Sequence, residues 1–235
     1  MKTKVCEPWA GFSLLDLLLV IAAIVGIVFV ILPRMARARV TSCRVSCTNQ
    51  LKQIGIATRS WSLDYDPDGS LRQEFLTNNP AAILTRADVA HRFFEVMSND
   101  LVTPKILFCP EDRKRGRGPA NVWDSTKSSY PPPYPSYTET VFSSTNLSYF
   151  AGLDADDTYP DRLAAGDDHF LVDKRNPQSG LFLFATNSAV EWRNERHPKS
   201  GNILFADASV HTINSGMFRG VLVTNTFVTN RLAMP

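Results

Sequence analysis

With 235 residues, 44% hydrophobic and 20% charged, the chain is long enough for a sizeable domain and too apolar for bulk disorder. A formal net charge of +2 leaves no basic excess, which argues against a nucleic-acid partner. The four cysteines, Cys6, Cys43, Cys47 and Cys109, lack the paired local spacing of a zinc module, since Cys43 and Cys47 have no second pair nearby.

The chain opens with a short polar stretch, MKTKVCEPWAG, and then turns apolar. Phe12–Leu32 spans 21 residues and carries one charge, Asp16. A helix of that length covers about 32 Å, close to the ~30 Å hydrocarbon core of a bilayer. A carboxylate in such a segment costs roughly 2.5–3.5 kcal/mol at the bilayer centre and less near an end, so Asp16 needs a reason to be there. No A-x-A cleavage site follows; Pro33, Arg34, Arg37 and Arg39 do. The pattern predicts a membrane span and fits an ordinary secretory signal poorly.

Beyond Pro33, which should kink the helix, a stripe at Val40, Cys43, Cys47, Leu51, Ile54 and Trp61 keeps helical spacing, with Arg39, Arg44, Lys52 and Arg59 opposite. The spacing predicts one long helix, ended by the turn residues of DYDPDGS at 64–70. Residues 81–101 read as one helix or two short ones. Residues 112–145, rich in Arg, Pro, Ser and Tyr, read as a long irregular connection. LSYFAGL, SGLFLFATNSAV and GNILFADASVHTI read as strands, with Ala206–Ser209 as a hairpin turn. The C-terminal FRGVLVTNTFVTNRLAMP fits helix or strand. The expected fold class is α+β, a long N-terminal helix packed on a C-terminal antiparallel sheet.

The opening resembles the type IV prepilin signal: a basic leader ending in Gly11, then Phe12, a hydroxyl residue, two leucines and an acid, here Asp16 where glutamate is usual. The chain is similar in this to type IV pilins and type II secretion pseudopilins. CTNQLKQIGIATRSW, LFCPEDRKR and LSYFAGLDADDTYP resemble later segments of the large pseudopilin-like families of planctomycete and verrucomicrobial bacteria. HPKSGNILFADAS resembles their H-x9-DG motif, with His197 and Asp207 in place and Ala208 where the glycine would stand. The resemblance implies cleavage by a prepilin peptidase between Gly11 and Phe12, which makes residues 1–11 a leader and 12–33 a transmembrane and assembly helix. Residues 34–235 become an extracytoplasmic pilin-like head, with the helix continuing to about 64, on a single-pass inner-membrane protein. The implied partners are the peptidase and other pilin-like subunits of a secretion or pilus-like filament. In such a filament Asp16 meets the Phe12 ammonium of a neighbouring subunit, each offsetting the other's desolvation. The arginines after the span would by themselves place the head in the cytoplasm; the resemblance places it outside. The alternative reading is a membrane-tethered binding module that does not polymerise.

The Asp-rich stretch GLDADDTYPDRLAAGDDHF holds Asp154, Asp156, Asp157, Asp161, Asp167 and Asp168. Asp154, Asp156, Asp157 and Asp161 offer the oxygens a hard cation takes, and the resembled major pseudopilins carry a calcium site in a loop near the sheet. The stretch lacks EF-hand spacing and reads first as a solvated surface loop. No cofactor apart from that calcium is expected. His197 and Asp207 come without a nucleophile motif, so no catalytic residue is expected; Asp207 should shape the turn and His197 should hydrogen-bond nearby. His91, His169 and His211 show no metal-ligand spacing. Removing the leader removes Cys6. In an extracytoplasmic head Cys47–Cys109 is the preferred disulfide, with three buried thiols packed as small apolar residues as the alternative.

Overall fold

One helix, α1, runs Leu14–Tyr65, 52 residues without interruption at Pro33. It belongs to a computed structural model that describes residues 13–65, 89–123, 140–155, 158–185, 187–197, 199–224 and 229–235. The chain divides into two units, Met1–Ser42 and Cys43–Pro235.

In the first unit every side chain from 13 to 35 is exposed. Leu14–Met35 is long and apolar enough to cross a membrane, and none of it is buried. Helical Leu, Ile and Val left wholly uncovered lose the burial that stabilises most protein helices, about 1.5–3 kcal/mol per large side chain. A surface of this extent marks contact with lipid or with other helices.

In the second unit the amphipathic half of α1 behaves as its pattern requires. Cys47, Leu51, Ile54, Ala57 and Trp61 are buried, while Lys52 and Arg59 are exposed. The steps between the buried positions are four, three, three and four, one face of a helix. Two short helices follow, α2 (Val89–Val96) and α3 (Ser98–Leu101), within the stretch expected to be helical.

The strands are β1 (Tyr149–Gly152), β2 (Leu163–Asp167), β3 (Phe170–Val172), β4 (Gly180–Ala185), β5 (Val190–Trp192), β6 (Ser200–Phe205), β7 (Val210–Asn214) and β8 (Thr229–Met234), with helix α4 (Ser215–Thr224) before the last. Six of them form one sheet in the order β4-β8-β1-β2-β6-β7, and β3 pairs with β5 in a separate ribbon. Every pairing is antiparallel. The fold is α+β, as expected. The ambiguous C-terminal segment resolves into α4 and β8, and β8 lies between β4 and β1, so the end of the chain completes the sheet.

Because strand side chains alternate, the sheet has two apolar faces. Tyr149, Ala151, Ala165, Leu204 and Ala233 join α1 and α2 in one core through Leu51, Ile54 and Phe94. Phe150, Ile203 and Leu232 join Phe170, Trp192 and Phe218 in a second. There Trp192 of the β3–β5 ribbon stacks on Phe218 of α4 with ring centroids 4.9 Å apart. Gly55 lets α1 approach closely: a methyl group at that position would lie 2.8 Å from Leu204 Cδ1 and 3.3 Å from Ala208 Cβ.

One expectation is corrected. The Asp-rich stretch is not one solvated loop: its Leu163–Asp167 is the fully buried strand β2, and Asp167 is itself buried. The small apolar residues Ala164, Ala165 and Gly166 admit close neighbours on both sheet faces, which is why an acidic-looking segment can occupy the middle of a sheet.

The β6–β7 turn forms where expected. Asp207 Oδ1 accepts from the Ser209 N–H at 2.8 Å, and the Ala208 N–H donates to the Phe205 carbonyl at 3.0 Å. Ala208 has φ +64°, the left-handed region that favours glycine. Ala208→Gly should therefore stabilise the protein by about 0.5–1 kcal/mol, the relief of left-handed strain less the extra unfolded-state entropy of glycine. Urea unfolding of the detergent-solubilised full chain checks this, and an unchanged or lower midpoint would show that the turn carries no such strain.

Candidate functional site

Among the described residues, polar side chains engage one another at the start of α1 and in the middle of the second unit. At the start of α1, the Ser13 hydroxyl accepts from the Leu15 N–H at 3.3 Å, and Asp16 Oδ2 accepts from the Ser13 N–H at 3.1 Å. This is a reciprocal capping box with aspartate in the acidic place, and the carboxylate lies at the positive end of the helix dipole. Asp16 thus has a local role that its spacing in the sequence already permitted. The expected processing pair, Gly11 and Phe12, lies outside the described residues.

In the second unit three distant segments converge. The buried stripe of α1 contributes Cys47. Cys109 stands between two 3-10 helices, Pro104–Leu107 and Pro110–Arg115, each opened by a proline whose missing N–H is not needed there. His197 lies in the connection from β5 to β6. The two sulfurs and a ring nitrogen of His197 all lie within 4.8 Å of one another. Cys109 Sγ is 3.7 Å from His197 Nε2. All three residues are buried. Both cysteines are free thiols, so the pair expected to form a disulfide is brought together without the bond. The absence of metal-type spacing noted in the sequence is a local property only, because the fold gathers the donors from far apart.

The two thiols differ. A hydrogen bond from Cys47 holds the Cys109 thiol down, to about 7, against the opposing effect of burial and with help from His197. The same hydrogen bond and burial push Cys47 up. Burial also raises the Tyr149 phenol, whose hydroxyl donates to Gln50 Oε1 at 2.8 Å.

Beside this cluster lies a buried charge network centred on Arg196, the neighbour of His197. Its guanidinium pairs with Asp112 at 2.9 Å, with Asp168, and with Asp167 at 3.7 Å, and it donates to the Ser148 carbonyl at 2.7 Å. The Ser148 hydroxyl donates to Asp112, and Arg117 approaches the same carboxylate at 3.8 Å. Asp167 Oδ2 also accepts from the backbone and side-chain N–H groups of Asn202, at 2.7 and 3.0 Å. Burial raises the Asp167 carboxyl to about 6, although Arg196 and Asn202 pull it down. For Arg196, burial weakens the cation, and the nearby Asp168, Asp112 and Asp167 outweigh it, so the charge is held firmly.

The other expected site residues scatter. Asp207 is exposed in its turn and remote in role from His197. Both Asp154 oxygens are engaged by Arg231, Oδ2 by its backbone N–H at 2.6 Å and Oδ1 by its Nε at 2.6 Å, which leaves the carboxylate little to offer calcium. Asp156 and Asp157 lie outside the described residues, and Asp161 is exposed. His91 Nε2 lies 3.1 Å from the Phe142 carbonyl, and His211 is exposed against Phe205. His169 packs between Trp192 and His197, at 5.2 and 5.7 Å between ring centroids. Sequence reasoning missed Arg196, Asp112 and Ser148. The one available signal was the run of small residues before Asp167, which marks a strand rather than a loop.

The chain matches no family model, no curated protein and no solved structure.

Removing the hub tests the network. Arg196→Met leaves buried carboxylates without their cation and should cost about 3–5 kcal/mol in urea unfolding. Arg193→Met removes a half-exposed pair with Glu195 and an exposed hydrogen bond to Asn176, and should cost about 1 kcal/mol or less. Equal costs for the two variants would show that the buried network contributes nothing special.

Proposed function

We propose that the protein is a pilin-like structural subunit, anchored in the inner membrane by the first part of α1 and carrying its second unit as an extracytoplasmic head. The observation that carries this reading is the division of labour along one helix. Leu14–Met35 is apolar and wholly uncovered, while Cys47, Leu51, Ile54, Ala57 and Trp61 of the same helix are buried with an antiparallel sheet. A subunit of this kind uses the uncovered part twice, to reside in lipid and to pack beside equivalent helices of its neighbours. Its partners are a prepilin peptidase, which cuts after Gly11, and further pilin-like subunits. Its work is mechanical, in a type II secretion or pilus-like filament, and it is not an enzyme.

A second reading, a tethered module that does not polymerise, is favoured by one observation. The Asp16 carboxylate is already engaged within its own helix start, by the Ser13 N–H. A cap needs a hydrogen-bond acceptor; an intersubunit pair with an ammonium needs a charge. Asparagine separates them, because its oxygen can cap without charge.

Crosslinking of mature subunits in membranes, with expression and cleavage matched, should therefore fall severalfold in both Asp16→Ala and Asp16→Asn and persist in Asp16→Glu, for an unpaired buried ammonium costs a few kcal/mol. Crosslinking that survives in Asp16→Asn but not in Asp16→Ala would make Asp16 a cap only. Wild-type subunits that never crosslink would leave the tether reading standing. The mass of the mature N-terminus should correspond to a chain that begins at Phe12.

A further inference from the structure

We propose that Cys47, Cys109 and His197 form a binding site for a thiophilic divalent cation of the zinc class. The site is independent of the filament reading, since all three donors belong to the second unit.

Geometry comes first. Tetrahedral zinc holds sulfur at about 2.3 Å and nitrogen at about 2.0–2.1 Å, so its donors stand roughly 3.5–3.8 Å apart. Cys109 Sγ and His197 Nε2 are separated by 3.7 Å, and no pair in the trio exceeds 4.8 Å.

The second argument concerns the imidazole. His197 is 1% exposed, and its Nδ1 has no hydrogen-bond partner among the described residues. Its Nε2 is aimed at a sulfur. A thiol is a poor hydrogen-bond partner, so a buried imidazole so placed loses most of what it had in water. A metal ion bound through Nε2 replaces that loss with a coordinate bond.

Charge is the third. Two thiolates and a neutral imidazole bring zinc to net zero, with the two thiol protons passing to solvent as the ion binds. The buried centre then adds no uncompensated charge beside the Arg196 network. Soft sulfur donors select zinc over magnesium or calcium.

The placement of the donors is also not random with respect to the sequence. Cys47 opens CTNQLKQIGIATRSW, Cys109 lies in LFCPEDRKR and His197 opens HPKSGNILFADAS. Each of these segments delivers one donor to the same point.

The test uses the full chain in detergent, isolated from its membrane, reduced, stripped with a chelator and given zinc or cobalt. Elemental analysis after gel filtration should find about one zinc per chain in the wild type and about a tenth of that or less in Cys47→Ser, Cys109→Ser and His197→Gln. Cys43→Ser, one turn away on α1 and outside the trio, should bind as the wild type does. The cobalt form of the wild type should show a sulfur-to-cobalt charge-transfer band and tetrahedral intensity, a readout that does not depend on any variant folding. No zinc uptake by the reduced wild type, or a cobalt spectrum without sulfur ligation, overturns the proposal. So does a Cys47–Cys109 disulfide found by mass spectrometry in the protein as first isolated.

Discussion

The guanidinium of Arg196 is enclosed by Asp112, Asp167 and Asp168 and by the Ser148 carbonyl, all in the interior of the second unit. The partners come from three pieces of chain: the 3-10 helix after Cys109, the end of β2 with the residue that follows it, and the entry to β1. A buried ion that touches three segments fixes them to one another, because any displacement strands a charge in low dielectric. The position of His197 follows directly, as the next residue along. The position of Cys109 follows too, since Asp112 lies in the turn that Cys109 begins, and its N–H donates to the Cys109 carbonyl at 2.9 Å. The ion network thus sets the distance between a thiol and an imidazole that have no sequence relation.

Helix α1 answers to two solvents. Its first part carries large aliphatic side chains on every side, as a segment surrounded by lipid or by other helices must. Its later part has one buried face and a charged opposite face, as a helix on a sheet must. Asp16 stands at the start of the uncovered part, where the first turn leaves N–H groups unsatisfied. Outside water such groups are expensive, so a carboxylate that accepts from Ser13 lowers the cost of starting a helix there.

Much of the architecture was legible in the sequence because it depends on local periodicity. The stripe through Cys47, Leu51, Ile54 and Trp61 is a property of spacing alone, and Ala57 fills the seven-residue gap that a search for large apolar residues leaves. The Asp207 turn is legible for the same reason, as the hydrogen bond is two residues long. Strand β2 was hidden by its composition: it ends in an acid and follows a run of acids, and only partners distant in sequence neutralise them. β8 was ambiguous because its place between β4 and β1 is decided by pairing with strands some 50 to 80 residues earlier, as the register Gly180↔Met234 and Ala151↔Ala233 illustrates. The meeting of Cys47 and Cys109 was expected, as a disulfide; the arrival of His197 beside them was illegible, for no local rule links residues that meet only when the sheet has closed.

That dependence bears on which chemistry the trio performs. Cys47 and Cys109 meet once α1 lies against the turn after the 3-10 helix Pro104–Leu107, a contact that Gln50 secures by donating to the Phe108 carbonyl at 3.1 Å. His197 arrives only with β6, whose Asn202 reaches Asp167 across the sheet. In an oxidising compartment two neighbouring thiols become a disulfide unless something holds them as thiolates or shuts out the oxidant. Burial shuts it out after folding but not before. On the zinc proposal, an ion held by both sulfurs would protect them throughout, with the imidazole closing the site from the third side.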